Sequence, residues 1–191
     1  LGVATGFSSI VNISDVTGGS FADSLTGNAG ANILSGGGGD DILAGGLGID
    51  TLTGGAGVDT ASYADESDVI TGRQGNDILS GGAGDDNFVY NFGDGADTVD
   101  GGIGTDALSI LGTTANNTLD VIFDGTSLTA FEGGSITQVE SITAALDTGT
   151  DTLTYAGTTV AIAVDLGLGT ASGFAAISGI ENVVGGSAND T

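Results

Sequence analysis

Aspartate recurs along this chain at a nearly fixed interval. Asp41, Asp50, Asp59, Asp68, Asp77 and Asp86 stand nine residues apart, and Asp23 precedes them in frame. Asp97 and Asp106 continue the series after two extra residues, Tyr90 and Asn91, and Asn32 takes the place between Asp23 and Asp41. Glycine marks the approach to most of these carboxylates: Gly36-Gly37-Gly38-Gly39 before Asp41, Gly45-Gly46-Leu47-Gly48 before Asp50, and Gly54-Gly55-Ala56-Gly57 before Asp59. Gly72-Arg73-Gln74-Gly75 precedes Asp77, Gly81-Gly82-Ala83-Gly84 precedes Asp86, and Gly101-Gly102-Ile103-Gly104 precedes Asp106. Glycine lets the backbone curl into left-handed regions without a Cβ clash, so several carbonyl oxygens can point inward while the aspartate adds a carboxylate. That donor set suits calcium, a hard cation that takes six to eight oxygen ligands. A transition metal would favour His or Cys, and the chain has neither. Paired carboxylates also serve acid–base catalysis, but identical pairs repeated along an axis suit metal binding rather than one active centre. With no His, Cys, Lys or Gly-x-Ser-x-Gly elbow, the chain is expected not to be an enzyme.

Positioning these carboxylates takes short strands. In each nonapeptide, glycine stands at positions 1, 2 and 4, aspartate at 6 and an apolar residue at 8. Positions 7 to 9 are expected to form a strand with position 8 facing the core and 7 and 9 facing out. Two nonapeptides make one turn of a flattened right-handed coil, so residues 18 apart stack at strand spacing. One edge then carries Asp23, Asp41, Asp59, Asp77 and Asp97, and the other Asn32, Asp50, Asp68, Asp86 and Asp106. Neighbours along each edge share at most eight ions, four per edge, which would bring the formal charge of −24 to about −8. The complete loops around Asp41, Asp50, Asp59, Asp77 and Asp86 make the best sites. Asn32 weakens one, and Tyr63-Ala64-Asp65-Glu66, which replaces the glycines before Asp68, weakens others unless Asp65 or Glu66 substitutes.

Composition narrows the function. The 191 residues include 38 Gly and 25 Asp plus Glu against one basic side chain, Arg73. A charge of −24 opposes any compact state unless cations are bound, and it argues against nucleic-acid binding, which needs clustered Lys and Arg. Apolar residues make up 39%, too many for a disordered acidic tail. Without Cys there is no disulfide framework, and no apolar run of about 18 residues spans a membrane.

The repeats run over residues 18–109, and a less regular stretch covers 110–191. There, Gly104-Thr105-Asp106 recurs as Gly149-Thr150-Asp151, and Ile136 to Ile142 recurs as Ile177 to Val183. Alternating apolar residues and Thr predict strands, and no segment shows a helical period with caps. Residues 168–191 match 1–24 at an ungapped offset of 167, with 12 of 24 pairs identical. Residues 1–17 thus read as the end of a preceding unit and 168–191 as the start of the next. The fold class is all-β: a right-handed parallel β-roll or β-solenoid with calcium-binding turns, continuing into less regular coils.

The repeated Gly-Gly-x-Gly-x-Asp pattern resembles the RTX, or hemolysin-type, calcium-binding repeats of secreted bacterial proteins. The resemblance covers residues 18–109 and implies a parallel β-roll, an extracellular location and folding triggered by external calcium. The function expected is a calcium-dependent structural repeat module of a large extracellular protein: an adhesin, a surface-layer component or a filament that continues or self-associates end to end. An accessory calcium domain of a secreted enzyme is the alternative. A third reading is an ice- or glycan-binding face, offered by the outward hydroxyl row Thr26, Ser35, Thr53, Ser62, Thr71 and Ser80, with a surface glycan or cell-surface molecule as partner. Tyr63, Tyr90 and Tyr155 are expected to cover core ends rather than stack on sugars, and Arg73 to act as a surface ion-pair partner.

Overall fold

The structure, a computed structural model, describes residues 2–3, 10–11, 14–64 and 66–191. All regular structure among them is β. Phe7 and Asp65 lie outside the described residues, as does most of the segment 1–17.

Successive nonapeptides alternate between two parallel sheets, which is what a repeat of half a turn must do. Among the described residues one sheet has nine strands, running from Gly2–Val3 and Asp15–Thr17 through Ile33–Gly38, Thr51–Ala56, Val69–Gln74, Asn87–Asn91, Ala107–Leu111 and Ser141–Ala145 to Ala176–Ser178. The other has seven: Ile10–Val11, Ser24–Thr26, Ile42–Ala44, Thr60–Ser62, Ile78–Ala83, Thr98–Ile103 and Ser135–Thr137. From Asp15 on the stacking interval is 18 residues, with Leu34 over Leu52 and Leu52 over Ile70. It lengthens to 20 where Tyr90 and Asn91 are inserted, so that Leu79 pairs with Val99 and Phe88 with Leu108.

Position 8 faces inward throughout. Val16, Leu25, Leu34, Leu43, Leu52, Ala61, Ile70, Leu79, Phe88, Val99 and Leu108 are all buried in one continuous core. Each such side chain contributes about 1.5–3 kcal/mol on burial, Ala61 less. The core runs on without a break through Ile110, Leu119, Phe131, Leu146 and Tyr155 to Ile180. Tyr90 meets Phe131 edge-on at 4.8 Å and donates its hydroxyl to the Gly95 carbonyl. Tyr155 is fully buried, donating to the Ser172 carbonyl, and Tyr63 packs partly buried against the core.

In one respect the strands differ from expectation. Five of them, such as Ile33–Gly38 and Ile78–Ala83, extend beyond positions 7 to 9 into the first three loop residues. Equal turn lengths place each loop directly over the next, so Gly37 pairs with Gly55 and Gly55 with Arg73. The ladder therefore runs into the glycine turns.

Where position 4 is glycine, the turns leave no room for a side chain. Gly75 has φ of 149°, and a Cβ there would overlap the Gly57 carbonyl oxygen. Gly75→Ala is expected to destabilise the calcium-loaded protein by about 3 kcal/mol, from backbone strain and forced separation of two turns. Gly93, with φ of 93° and nothing within 4 Å of its Cβ position, isolates the strain alone, so Gly93→Ala should cost about 1 kcal/mol. Thermal denaturation of both variants checks this, and equal losses would contradict it.

After residue 111 the turns grow. Ala107–Leu111 pairs with Ser141–Ala145 at an interval of 34 residues. A third sheet forms from Leu128–Phe131, Thr118–Phe123, Thr152–Thr154 and Asn182–Val184, of which Leu128–Phe131 folds back antiparallel. Val164–Asp165 and Thr170–Ala171 form a separate antiparallel pair.

Candidate metal centre

Stacked turns bring the expected aspartates into two continuous ladders. Along the first, the backbone N–H of Asp23 donates to Asp41 Oδ1, Asp41 to Asp59, Asp59 to Asp77 and Asp77 to Asp97, at 2.7–3.0 Å. Along the second, Asn32 donates to Asp50, Asp50 to Asp68, Asp68 to Asp86 and Asp86 to Asp106, at 2.6–2.9 Å. Each carboxylate thus reaches back to the turn before it through one oxygen. Asp41 through Asp106 in both ladders are buried.

The second oxygen is what makes these sites unusual. Oδ2 of Asp41, Asp50, Asp59, Asp68, Asp77, Asp86 and Asp106 is buried without any hydrogen-bond partner. In six of the seven it rests against the position-1 glycine of its own loop: a Cβ on Gly36, Gly45, Gly54, Gly72, Gly81 or Gly101 would strike Oδ2 of Asp41, Asp50, Asp59, Asp77, Asp86 or Asp106. At Gly36, Gly54 and Gly81 the carbonyl of the next turn's position-1 glycine faces the same point: Gly54, Gly72 and Gly101 respectively. Buried acceptors crowded together with no donor are costly unless a cation or proton joins them.

The donor set fits calcium. Every available ligand is oxygen, from carboxylates and loop carbonyls. Among the described residues no three Asp, Glu, His or Cys side chains converge on one point, so an ion here would draw on one or two aspartates and on backbone carbonyls. The residues that would hold calcium are the ladder aspartates and the glycine-turn carbonyls. When bound, the ion supplies positive charge between turns that otherwise repel.

Electrostatics point the same way. Burial pushes the Asp68 and Asp77 carboxyls up to about 7 from a usual 3.8; the backbone N–H each accepts offsets this in part, and neighbouring carboxylates add to it. Asp41 and Asp97 rise to about 6, again chiefly through burial. Asp50, Asp59, Asp86 and Asp106 shift upward for the same leading reason. Folded values above unfolded ones mean that the metal-free fold binds extra protons. The stability this gives is fully present below pH 4 and is lost as pH rises through 6 to 7. The decalcified chain is therefore expected to hold more β structure, by circular dichroism, at pH 4.5 than at pH 8. Less β structure at pH 4.5 than at pH 8 would contradict the burial of unpaired carboxyls.

Departures from the repeat are accommodated at particular residues. Glu66 takes the position-4 place in the loop lacking glycines, with φ of 82°, and its carbonyl lies where a Gly84 Cβ would fall. The Asp68 hydrogen bonds to both neighbouring turns survive. Arg73 is exposed at position 2 with φ of 74°, a left-handed conformation that Gly37, Gly46, Gly55, Gly82 and Gly102 adopt in the other loops. Gly38, Gly39, Leu47, Gly48, Ala56, Gln74, Ala83 and Gly104 complete the turns through their backbones.

Glu140 was missed by the periodicity. It extends the second ladder, with Oε2 accepting the Asp106 N–H at 2.8 Å while its own N–H returns to the Asp106 carbonyl. It stands 34 residues after Asp106 rather than 18, so only the recurrence of Ile136 to Ile142 pointed near it.

Comparison with known proteins agrees with this geometry. The model of the RTX calcium-binding nonapeptide repeat matches four times, over residues 17–52, 36–65, 62–94 and 93–108. No curated protein and no solved structure matches the chain. Residues 17–108, the block that carries both aspartate ladders, belong to the RTX calcium-binding nonapeptide repeat family.

Proposed function

We propose that this chain is a calcium-dependent structural module of a large extracellular bacterial protein, an adhesin, surface-layer component or filament, that external calcium folds and stiffens. The observation that carries the reading is the double row of buried aspartates whose second oxygens have no partner. The outside of a bacterial cell supplies calcium at concentrations that match millimolar-class sites.

End-to-end continuation is part of this reading. Val16 is 4% exposed because Ile33–Gly38 covers its strand, whereas Val183, its counterpart at offset 167, is 37% exposed. The two places are built alike: Asp190 Oδ2 lies against Gly185 as Asp23 Oδ2 lies against Gly18. The cover that fits Asn182–Val184 is a nonapeptide turn of the kind around Leu34, stacked head to tail. A heterologous head-to-tail contact that does not close gives a filament. Electron micrographs of the parent protein in calcium should show thin elongated particles. Compact globular particles would overturn the filament reading.

A further inference from the structure

We propose that Asp151, outside the repeat block, is the carboxylate of a further calcium site that clips together three turns of the third sheet. The proposal rests on reading the ladders as calcium sites and extends that chemistry to a stretch where the nonapeptide pattern has faded.

Asp151 repeats the hydrogen bonds of Asp106 one for one. The Asp106 Oδ1 accepts the backbone N–H of Asp86 at 2.8 Å; the Asp151 Oδ1 accepts that of Asn117 at 2.6 Å. The Asp106 N–H donates to Glu140 Oε2 and the Asp151 N–H to Glu181 Oε2, both at 2.8 Å. The Asp106 carbonyl accepts from Glu140 and Ser141, and the Asp151 carbonyl from Glu181 and Asn182, all at 3.0–3.1 Å. Asp151 is 0% exposed, and its Oδ2 is buried without a partner, as in the ladder aspartates.

The turn before it keeps the position-4 glycine, with Leu146 where the ladder loops have their position-1 glycine. Gly149 stands two residues ahead with φ of 158°, and a Cβ there would come within 2.8 Å of the Ala115 carbonyl oxygen and 3.0 Å of Asp151 Oδ1. Gly75 bears the same relation to the Gly57 carbonyl and to Asp77 Oδ1. Oxygen is again the only ligand type at hand, from Asp151, Glu181 and loop carbonyls, so a hard divalent cation is the ligand class and calcium the ion. Thr118–Phe123, Thr152–Thr154 and Asn182–Val184 all start beside this point. An ion there would hold the three strand starts in register across 30- and 34-residue turns that sequence periodicity no longer regulates.

Asp151→Asn tests it while keeping a side-chain carbonyl oxygen to accept the Asn117 N–H. Native mass spectrometry of the full chain in calcium should show D151N carrying one ion fewer than wild type. Amide exchange should show calcium protecting residues 152–154 and 182–184 in wild type but not in D151N, while residues 33–109 are protected in both. Glu181→Gln, which keeps an acceptor for the Asp151 N–H, should weaken the same single site. Equal ion counts in wild type and D151N, with equal protection of the third sheet, would overturn this site and leave the ladders standing. A wild-type chain that binds no calcium would overturn both.

Discussion

Stripped of calcium at neutral pH, residues 18–109 are expected to lose their β structure and to regain it when the ion returns. Fourteen acidic residues lie between Asp40 and Asp106 against one arginine. In the folded coil eight of them are buried in the two ladders, where each faces like charge one turn away. Without a counter-ion, each buried carboxylate must take up a proton or bear its desolvation. Calcium removes that conflict and adds binding energy. At tenfold excess over a millimolar-class dissociation constant, one site contributes about 1.4 kcal/mol. Several such sites supply most of the ~5–15 kcal/mol margin of an ordinary domain. Far-UV circular dichroism in chelator, then in excess calcium, reads the change. An identical β spectrum in both would show that the core of position-8 residues suffices alone.

Substitution at Asp59 should raise the calcium midpoint for folding far more than substitution at Asp15. Asp59 accepts the Asp41 N–H at 2.8 Å and donates its own to Asp77 at 2.7 Å, so Asp59→Ala cuts the first ladder in its middle. It removes a carboxylate from the sites towards both neighbours and leaves the Asp41 N–H buried without its acceptor, a loss of about 3–5 kcal/mol. Asp15 is exposed on the strand Asp15–Thr17, and Asp15→Ala should change stability by less than about 0.5 kcal/mol. Calcium titrations followed by circular dichroism compare the two. Equal midpoints would refute the ladder assignment.

The repeat block was legible because every turn there has nearly the same length. Equal spacing in sequence then becomes adjacency in space, and spacing alone puts Asp41, Asp59 and Asp77 in one ladder. Position 8 was legible for the same reason: Leu34, Leu52 and Ile70 stack because they recur every 18 residues. Two things were harder to read. Glu66 and Arg73 adopt left-handed backbone that residue type disfavours, and only the pairing of neighbouring turns imposes it. After residue 111, likeness in sequence no longer means contact. Gly104-Thr105-Asp106 and Gly149-Thr150-Asp151 are alike, yet Asp106 meets Glu140 and Asp151 meets Glu181. The antiparallel return of Leu128–Phe131 lengthens the turn, and a lengthened turn hides the stacking partner from any fixed period.

The calcium content of the folded chain at neutral pH tests the account most directly. Native mass spectrometry and circular dichroism on one decalcified sample, titrated with calcium, should show β structure rising with the number of bound ions. That number should reach several, with about eight between the ladders as the ceiling and one more at Asp151. A chain fully folded with no bound calcium would contradict it.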